Sequence, residues 1–254
     1  MPEFISAEQI HLETMLAPDT PFAGRVLLPG EVAGVTIRHY AARRGKPLPL
    51  DEEFGKVHIR VFLYGSGNLT VGPHGYAIDE IAVAALTRDP PAIVESTSDR
   101  LEFLDIALDL DPADEDELSK HAAQLPYFRQ YSSCPVYREE IKSIKTVSRT
   151  LVPPDLLPRF SMGSVQTTGP DIVLPHQHAM LEQFFFGLRG NSCHLQADAQ
   201  EISFGENELV HIPLGSLHAV RVEHAHALHY LWLDFFRHQE DVRYISQTHI
   251  PVKQ

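Results

Sequence analysis

His176, His178, Glu182 and His218 are the residues of this chain whose types and spacing suit chemistry. Along an extended strand, side chains two and four residues apart share a face. Read that way, one strand aims the His176 and His178 imidazoles and the Glu182 carboxylate at one point, while Gln183 points away. His218 closes Pro213-Leu214-Gly215-Ser216-Leu217-His218, a tight turn that opens another strand. Three nitrogens and one oxygen make a borderline donor set, suited to Fe(II), Mn(II), Ni(II), Zn(II) or Cu(II). One divalent transition metal per chain is the implied cofactor. A buried Glu182 without a cation would carry a large desolvation cost, which coordination removes.

The elements that must position these residues read as strands. In the second half these are 159–165, 180–186, 193–197, 208–212, 219–222 and 228–235, rich in β-branched and aromatic residues. The first half carries a similar set around 32–37, 57–64, 68–71 and 101–108, with Gly65-Ser66-Gly67-Asn68 as a turn. One helix interrupts them. Asp111 caps it, Pro112 fits its first turn, and 114–117 place acid at the positive end of its dipole. The helix runs to about Gln124, and 143–152 reads as a connector ended by Pro153-Pro154. Val61-Phe62-Leu63-Tyr64-Gly65-Ser66-Gly67-Asn68 echoes Phe184-Phe185-Phe186-Gly187-Leu188-Arg189-Gly190-Asn191, which points to an internal duplication.

Composition narrows the function classes. The chain has 254 residues, enough for a large core, and a net charge of −13 with no long Lys/Arg run, which argues against a nucleic-acid partner. Two cysteines, Cys134 and Cys193, make no disulfide framework and no CxxC pair, so a reducing cytoplasm is expected. Met1-Pro2-Glu3-Phe4 lacks the basic and apolar regions of a signal peptide, and no apolar run is long enough to cross a bilayer, so no membrane partner is expected. Nine of the fifteen histidines fall between His176 and His238, which separates the roles of the two halves.

The C-terminal half resembles a cupin. Its first motif is Gly169, His176-Gln177-His178, Glu182 and Gly190; its second is Gly205 and Pro213-Leu214-Gly215-Ser216-Leu217-His218. Some spacers are a residue or two longer than the usual pattern, and Val222 stands where an Asn is often found. The resemblance implies that His176, His178, Glu182 and His218 bind the metal inside a small barrel. The N-terminal half resembles a degenerate cupin, with no His-x-His and no Pro-x-Gly-x-x-His. The whole is therefore expected to be all-β, a bicupin of two cupin-type barrels joined by a helix-containing linker. The boundaries are 1–110 for a metal-free barrel, 111–158 for helix and linker, and 159–254 for the metal-binding barrel. Val152-Pro153-Pro154-Asp155-Leu156-Leu157 and Phe160-Ser161-Met162-Gly163 resemble a segment of the 5-keto-4-deoxyuronate isomerase family, whose Glu lies one residue further from its His-x-His.

The expected activity is that of a metal-dependent isomerase or lyase on a small oxygenated acid or sugar, uronate-like, with Lewis-acid stabilisation of an enediolate. Glu182 and His211 are the candidate proton carriers. Arg159 and Arg189, with Arg221, are candidates for a substrate carboxylate. Phe184, Phe186 and Tyr230 are candidates to line the cavity. Two alternatives use the same residues: a non-haem Fe(II) dioxygenase of the cupin type, to which the aromatic strand is suited, and a non-catalytic ligand-binding cupin. Exposed sheet edges suggest a homodimer.

Overall fold

Runs of Val, Ile, Phe and Tyr punctuated by Gly, Pro and Asp form antiparallel strands in the computed structural model, which describes residues 5–10, 20–50, 53–139 and 141–242. The chain is mostly β and falls into two compact units. One comprises Met1–Ile10 and Cys134–Gln254, and is called the C-terminal unit; the other is His11–Ser133, the N-terminal unit.

The C-terminal unit has two sheets. The larger orders its strands Ser6–Gln9, Glu208–Ile212, Leu181–Gly187, Ala227–Phe236, Phe160–Thr168, Val147–Leu157 and Val136–Tyr137. The smaller orders them Asp171–His176, His218–Val222, Ser192–Ala197 and Gln200–Gly205. The core lies between the two. Val165, Phe185, Val210, Ile212, Leu228 and Tyr230 come from the larger sheet, and Val173, Leu195, Phe204, Val220 and Val222 from the smaller. Alternate residues of each strand point inward, and burying them drives the two faces together.

The N-terminal unit repeats this plan. Its larger sheet runs Tyr127–Gln130, Ala82–Leu86, Lys56–Tyr64, Arg100–Asp109, Val35–Arg43 and Phe22–Leu27; its smaller one runs Leu48–Leu50, Ala92–Ser96, Gly67–Val71 and His74–Ile78. Taken in chain order, nine strands of one unit map onto nine of the other with the same neighbours. The two segments of the sequence echo end matching strands, Lys56–Tyr64 and Leu181–Gly187.

Three expectations change. The ladders of the described residues form two sheets per unit and do not close into a barrel. The segment 111–158 is not a separate linker: the helix Pro112–His121 belongs to the N-terminal unit, and Val147–Leu157 is a strand of the large C-terminal sheet. Pro153-Pro154 falls where that strand's register is interrupted, between Val152 and Leu157, so no ladder hydrogen bond is lost to the missing N–H groups. Finally, Ser6–Gln9 pairs with Glu208–Ile212, a partner so distant in sequence that no local pattern marks it. The helix itself starts as expected: Asp111 accepts from the Ala113 and Asp114 amides, and Asp114 reaches back to the Asp111 amide.

Backbone crowding at the end of Leu181–Gly187 demands glycine. A Cβ at Gly187 would lie 1.9 Å from the Gly205 carbonyl oxygen, a backbone atom with no room to move. Gly187→Ala is expected to cost about 1–3 kcal/mol or more. Urea unfolding followed by the fluorescence of Trp232, the single tryptophan, measures this; an unchanged midpoint would contradict the close approach.

Candidate metal centre

Two sheets deliver the three histidines. His176 ends the strand Asp171–His176, opposite His218 at the start of His218–Val222. His178 follows on the crossing from the smaller sheet to the larger, where its carbonyl accepts from the Gly215 amide of the Pro213–His218 turn. One nitrogen from each ring lies within 4.8 Å of the others. The ring centroids are 4.3 Å apart for His176 and His218, 5.1 Å for His176 and His178, and 5.7 Å for His178 and His218.

The hydrogen bonds orient the rings for coordination. His176 Nδ1 lies 2.8 Å from the Leu174 carbonyl oxygen, and His218 Nδ1 lies 3.1 Å from that of Ser216. A carbonyl only accepts, so both rings carry their proton on Nδ1 and present Nε2 with its lone pair. His218 Nε2 is buried and has no hydrogen-bond partner among the described residues. Burial, reinforced by His176, pushes the His218 imidazole down to about 4, so it is neutral at pH 7, as a ligand must be. The residues present therefore fit a divalent cation bound by His176, His178 and His218.

Glu182 does not join them. Gln183 and Phe185 face the interior with the histidines, which puts Glu182, Phe184 and Phe186 on the other face of the sheet. There Glu182 lies 3.1 Å from His211 Nε2, and the Phe184 ring packs on His211 at 5.0 Å and on Phe235. Four of the expected site residues, Glu182, His211, Phe184 and Phe186, are thus directed away from the histidines. The reason is the sheet crossing at residues 177–180: alternation within Asp171–His176 does not continue into Leu181–Gly187.

A cavity of about 190 Å³ opens beside His176 and His178. Its wall includes Gln183, Asp234, Lys142, Tyr137, Tyr230 and Trp232. Of the expected substrate residues, only Tyr230 is among them. Arg159 sits with positive φ in the turn between Val147–Leu157 and Phe160–Thr168, Arg189 is exposed, and Arg221 pairs with Glu201 and Glu223 on the surface. Cys193 is no nucleophile, since burial pushes its thiol up to about 12.

Lys142 is the cation of this wall. It pairs with Glu139 and lies 3.2 Å from Ser148 Oγ. Asp234 is the buried carboxyl, accepting from Gln183 Nε2 at 2.8 Å. Burial, with Glu139 adding to it, pushes Asp234 up to about 7, against the Gln183 hydrogen bond. Burial likewise holds the Tyr230 and Tyr137 phenols well above their ordinary value. Gln183 Oε1 is buried and has no hydrogen-bond partner among the described residues, a deficit of about 1–3 kcal/mol for such a group.

These wall residues carried two legible signals. Gln183 with Phe185, and Tyr230 with Trp232 and Asp234, show the alternation of inward-facing strand positions. In the 5-keto-4-deoxyuronate isomerase family, which 152–163 resembles, the Glu lies one residue further from its His-x-His, a spacing that falls on Gln183 in this chain. Nothing local marked Lys142, which reaches the cavity because its segment bridges to Val173.

The N-terminal unit shows what stands at the matching positions. Arg60 faces Asp105 across neighbouring strands, as Gln183 faces Asp234. Arg60 Nε lies 3.2 Å and His58 Nδ1 3.1 Å from Asp105 Oδ1. A guanidinium there is matched by a carboxylate, and no His cluster adjoins it among the described residues.

No family model matches the chain, and no curated protein sequence matches it. Solved structures do. The putative glyoxylate induced protein from Pseudomonas aeruginosa has a TM-score of 0.69 at 12% identity, covering 86% of this chain and 81% of that one. The Cupin 2 conserved barrel domain protein from Leptotrichia buccalis has a TM-score of 0.60 at 14% identity, covering 88% and 92%. Oxalate decarboxylase from Bacillus subtilis has a TM-score of 0.63 at 10% identity, covering 86% and 72%. The chain therefore has the fold of cupin-domain proteins. No helix among the described residues is long and apolar enough to cross a membrane.

Proposed function

We propose that the chain is a metal-dependent enzyme of the isomerase or lyase type, acting on a small oxygenated acid in the cavity of its C-terminal unit. The supporting observation is the set of three converging imidazoles, His176, His178 and His218, beside a small cavity that holds both a cation and a buried carboxyl. A divalent cation bound there would polarise a substrate oxygen as a Lewis acid.

The chain's own residues do the rest. Lys142 offers a substrate carboxylate an ammonium in place of the Glu139 carboxylate that it pairs with on the same wall. Phe185, Val173 and Trp232 keep bulk water from the reacting atoms. A cavity of about 190 Å³ is below the roughly 300–1,000 Å³ of drug-sized sites, so it selects a molecule of few heavy atoms. The same fold carries an oxalate decarboxylase, whose substrate is a small carboxylic acid.

A second reading, a cupin-type dioxygenase, draws on the aromatic wall of Phe185 and Trp232. One experiment separates them. Protein loaded in turn with Mn(II), Fe(II), Ni(II) and Zn(II) is offered small hydroxy and keto acids in deuterated water. Proton exchange or bond cleavage without oxygen uptake, lost in His176→Ala, is the expected result. Oxygen uptake with iron alone would favour the dioxygenase. Saturable binding with no turnover of any kind would leave a ligand-binding protein and reject both enzymes.

A further inference from the structure

We infer that Gln183, through its side-chain oxygen Oε1, is the fourth protein donor to the cation, and that Asp234 is the positioning residue that aims it. This rests on the reading that His176, His178 and His218 hold a metal. Gln183 is 6% exposed, and it shares a recess with His178, His218 and the Pro213–Ser216 turn. Two buried polar atoms of that recess have no hydrogen-bond partner among the described residues, His218 Nε2 and Gln183 Oε1. Both carry lone pairs, so neither satisfies the other; a cation between them satisfies both.

The orientation of the amide follows from its neighbour. Asp234 offers an acceptor 2.8 Å from Gln183 Nε2, so the nitrogen turns towards Asp234 and the oxygen turns away from it. Glu182 supplies no donor, because its carboxylate lies on the other face of the sheet beside His211. The consequence is a set of four neutral donors. The cation keeps its full charge, which draws an anionic substrate to the remaining positions.

Cobalt(II) titration of the full chain tests this, with affinity read by calorimetry and coordination read from the visible absorption of the bound ion. Gln183→Ala is expected to weaken binding by about 10–100-fold and to change the spectrum. Gln183→Glu keeps an oxygen at the same reach but loses the Nε2–H donated to Asp234, so it is expected to bind about as Asp234→Ala does and more tightly than Gln183→Ala, which guards against a mere folding defect. Glu182→Gln is expected to match wild type. Asp234→Ala is expected to weaken binding by about tenfold, and the double variant with Gln183→Ala by no more than Gln183→Ala alone, because the two act as one unit. Wild-type affinity and spectrum in Gln183→Ala, with loss in His218→Ala, would overturn the inference and leave the three-histidine site standing. No saturable cobalt binding by wild type, or equal binding by His218→Ala, would overturn that site and the inference with it.

Discussion

His218→Ala is expected to abolish the thermal stabilisation that a divalent transition metal should give the wild-type protein. A ligand that binds only the folded state stabilises by RT ln(1 + [L]/Kd), about 2.7 kcal/mol at a free metal concentration 100 times Kd. At about 2–4 °C per kcal/mol for a chain of this size, wild type is expected to melt roughly 5–10 °C higher with metal than with chelator. The variant is expected to show no difference. The comparison is clean because each protein is measured against its own metal-free form. His218 Nε2 is buried with no hydrogen-bond partner among the described residues, so its removal also removes an unsatisfied polar atom. The variant also loses a buried ring that packs on Phe185 and its Nδ1 hydrogen bond to the Ser216 carbonyl, so its metal-free form is expected to melt below that of wild type. Scanning calorimetry with and without chelator decides the matter, and a metal-induced rise that survives in the variant would rule out His218 as a ligand.

Asp105→Ala is expected to destabilise the N-terminal unit by about 3–5 kcal/mol, the range for a buried ion pair broken from one side. Asp105 is 5% exposed and Arg60 1% exposed, and the change removes the carboxylate that faces the guanidinium and the His58 ring. Burial alone would raise the Asp105 carboxyl; the His58 hydrogen bond and the Arg60 charge outweigh it and hold the group below the usual carboxylate range. The sign of the pH dependence follows. A depressed folded-state value means that the unfolded chain takes up the proton first, so this stabilisation is present above about pH 4 and falls away as pH drops further. Circular dichroism in urea reads both units, while Trp232 reports from the C-terminal unit, so the loss should be larger by the first probe. A change below about 1 kcal/mol at neutral pH would mean that the pair is no more than a surface-type contact.

The two variants test one architectural idea. The units share a strand order, and each sets an inward-facing carboxyl opposite one particular register position. In the N-terminal unit that position holds Arg60, whose fixed charge is built into the chain. In the C-terminal unit it holds Gln183, which is neutral and adjoins three imidazoles. The first arrangement sets a guanidinium against a carboxylate, whereas the second leaves the lone pairs of Gln183 Oε1 and His218 Nε2 directed into the interior.

Spacing alone identified the three histidines. His-x-His at the end of one strand and Pro-x-Gly-x-x-His before another are local patterns, and a tight turn with Gly215 at positive φ holds His218 where the second motif implies. The β character, the capped helix after Asp111 and the duplication were equally legible, because propensity, capping and alternation act over a few residues. What the linear pattern could not carry was the face presented after the chain changes sheets. Alternation holds only while the strand is continuous, and the crossing at residues 177–180 resets it, which moved Glu182 outward and Gln183 inward. The partners that Asp234 faces, and the presence of Lys142, were beyond reach for a different reason. Asp234 and Lys142 meet the histidines only through pairing between strands far apart in sequence, and such pairing is chosen by the burial of whole sheet faces, a property of the assembled fold.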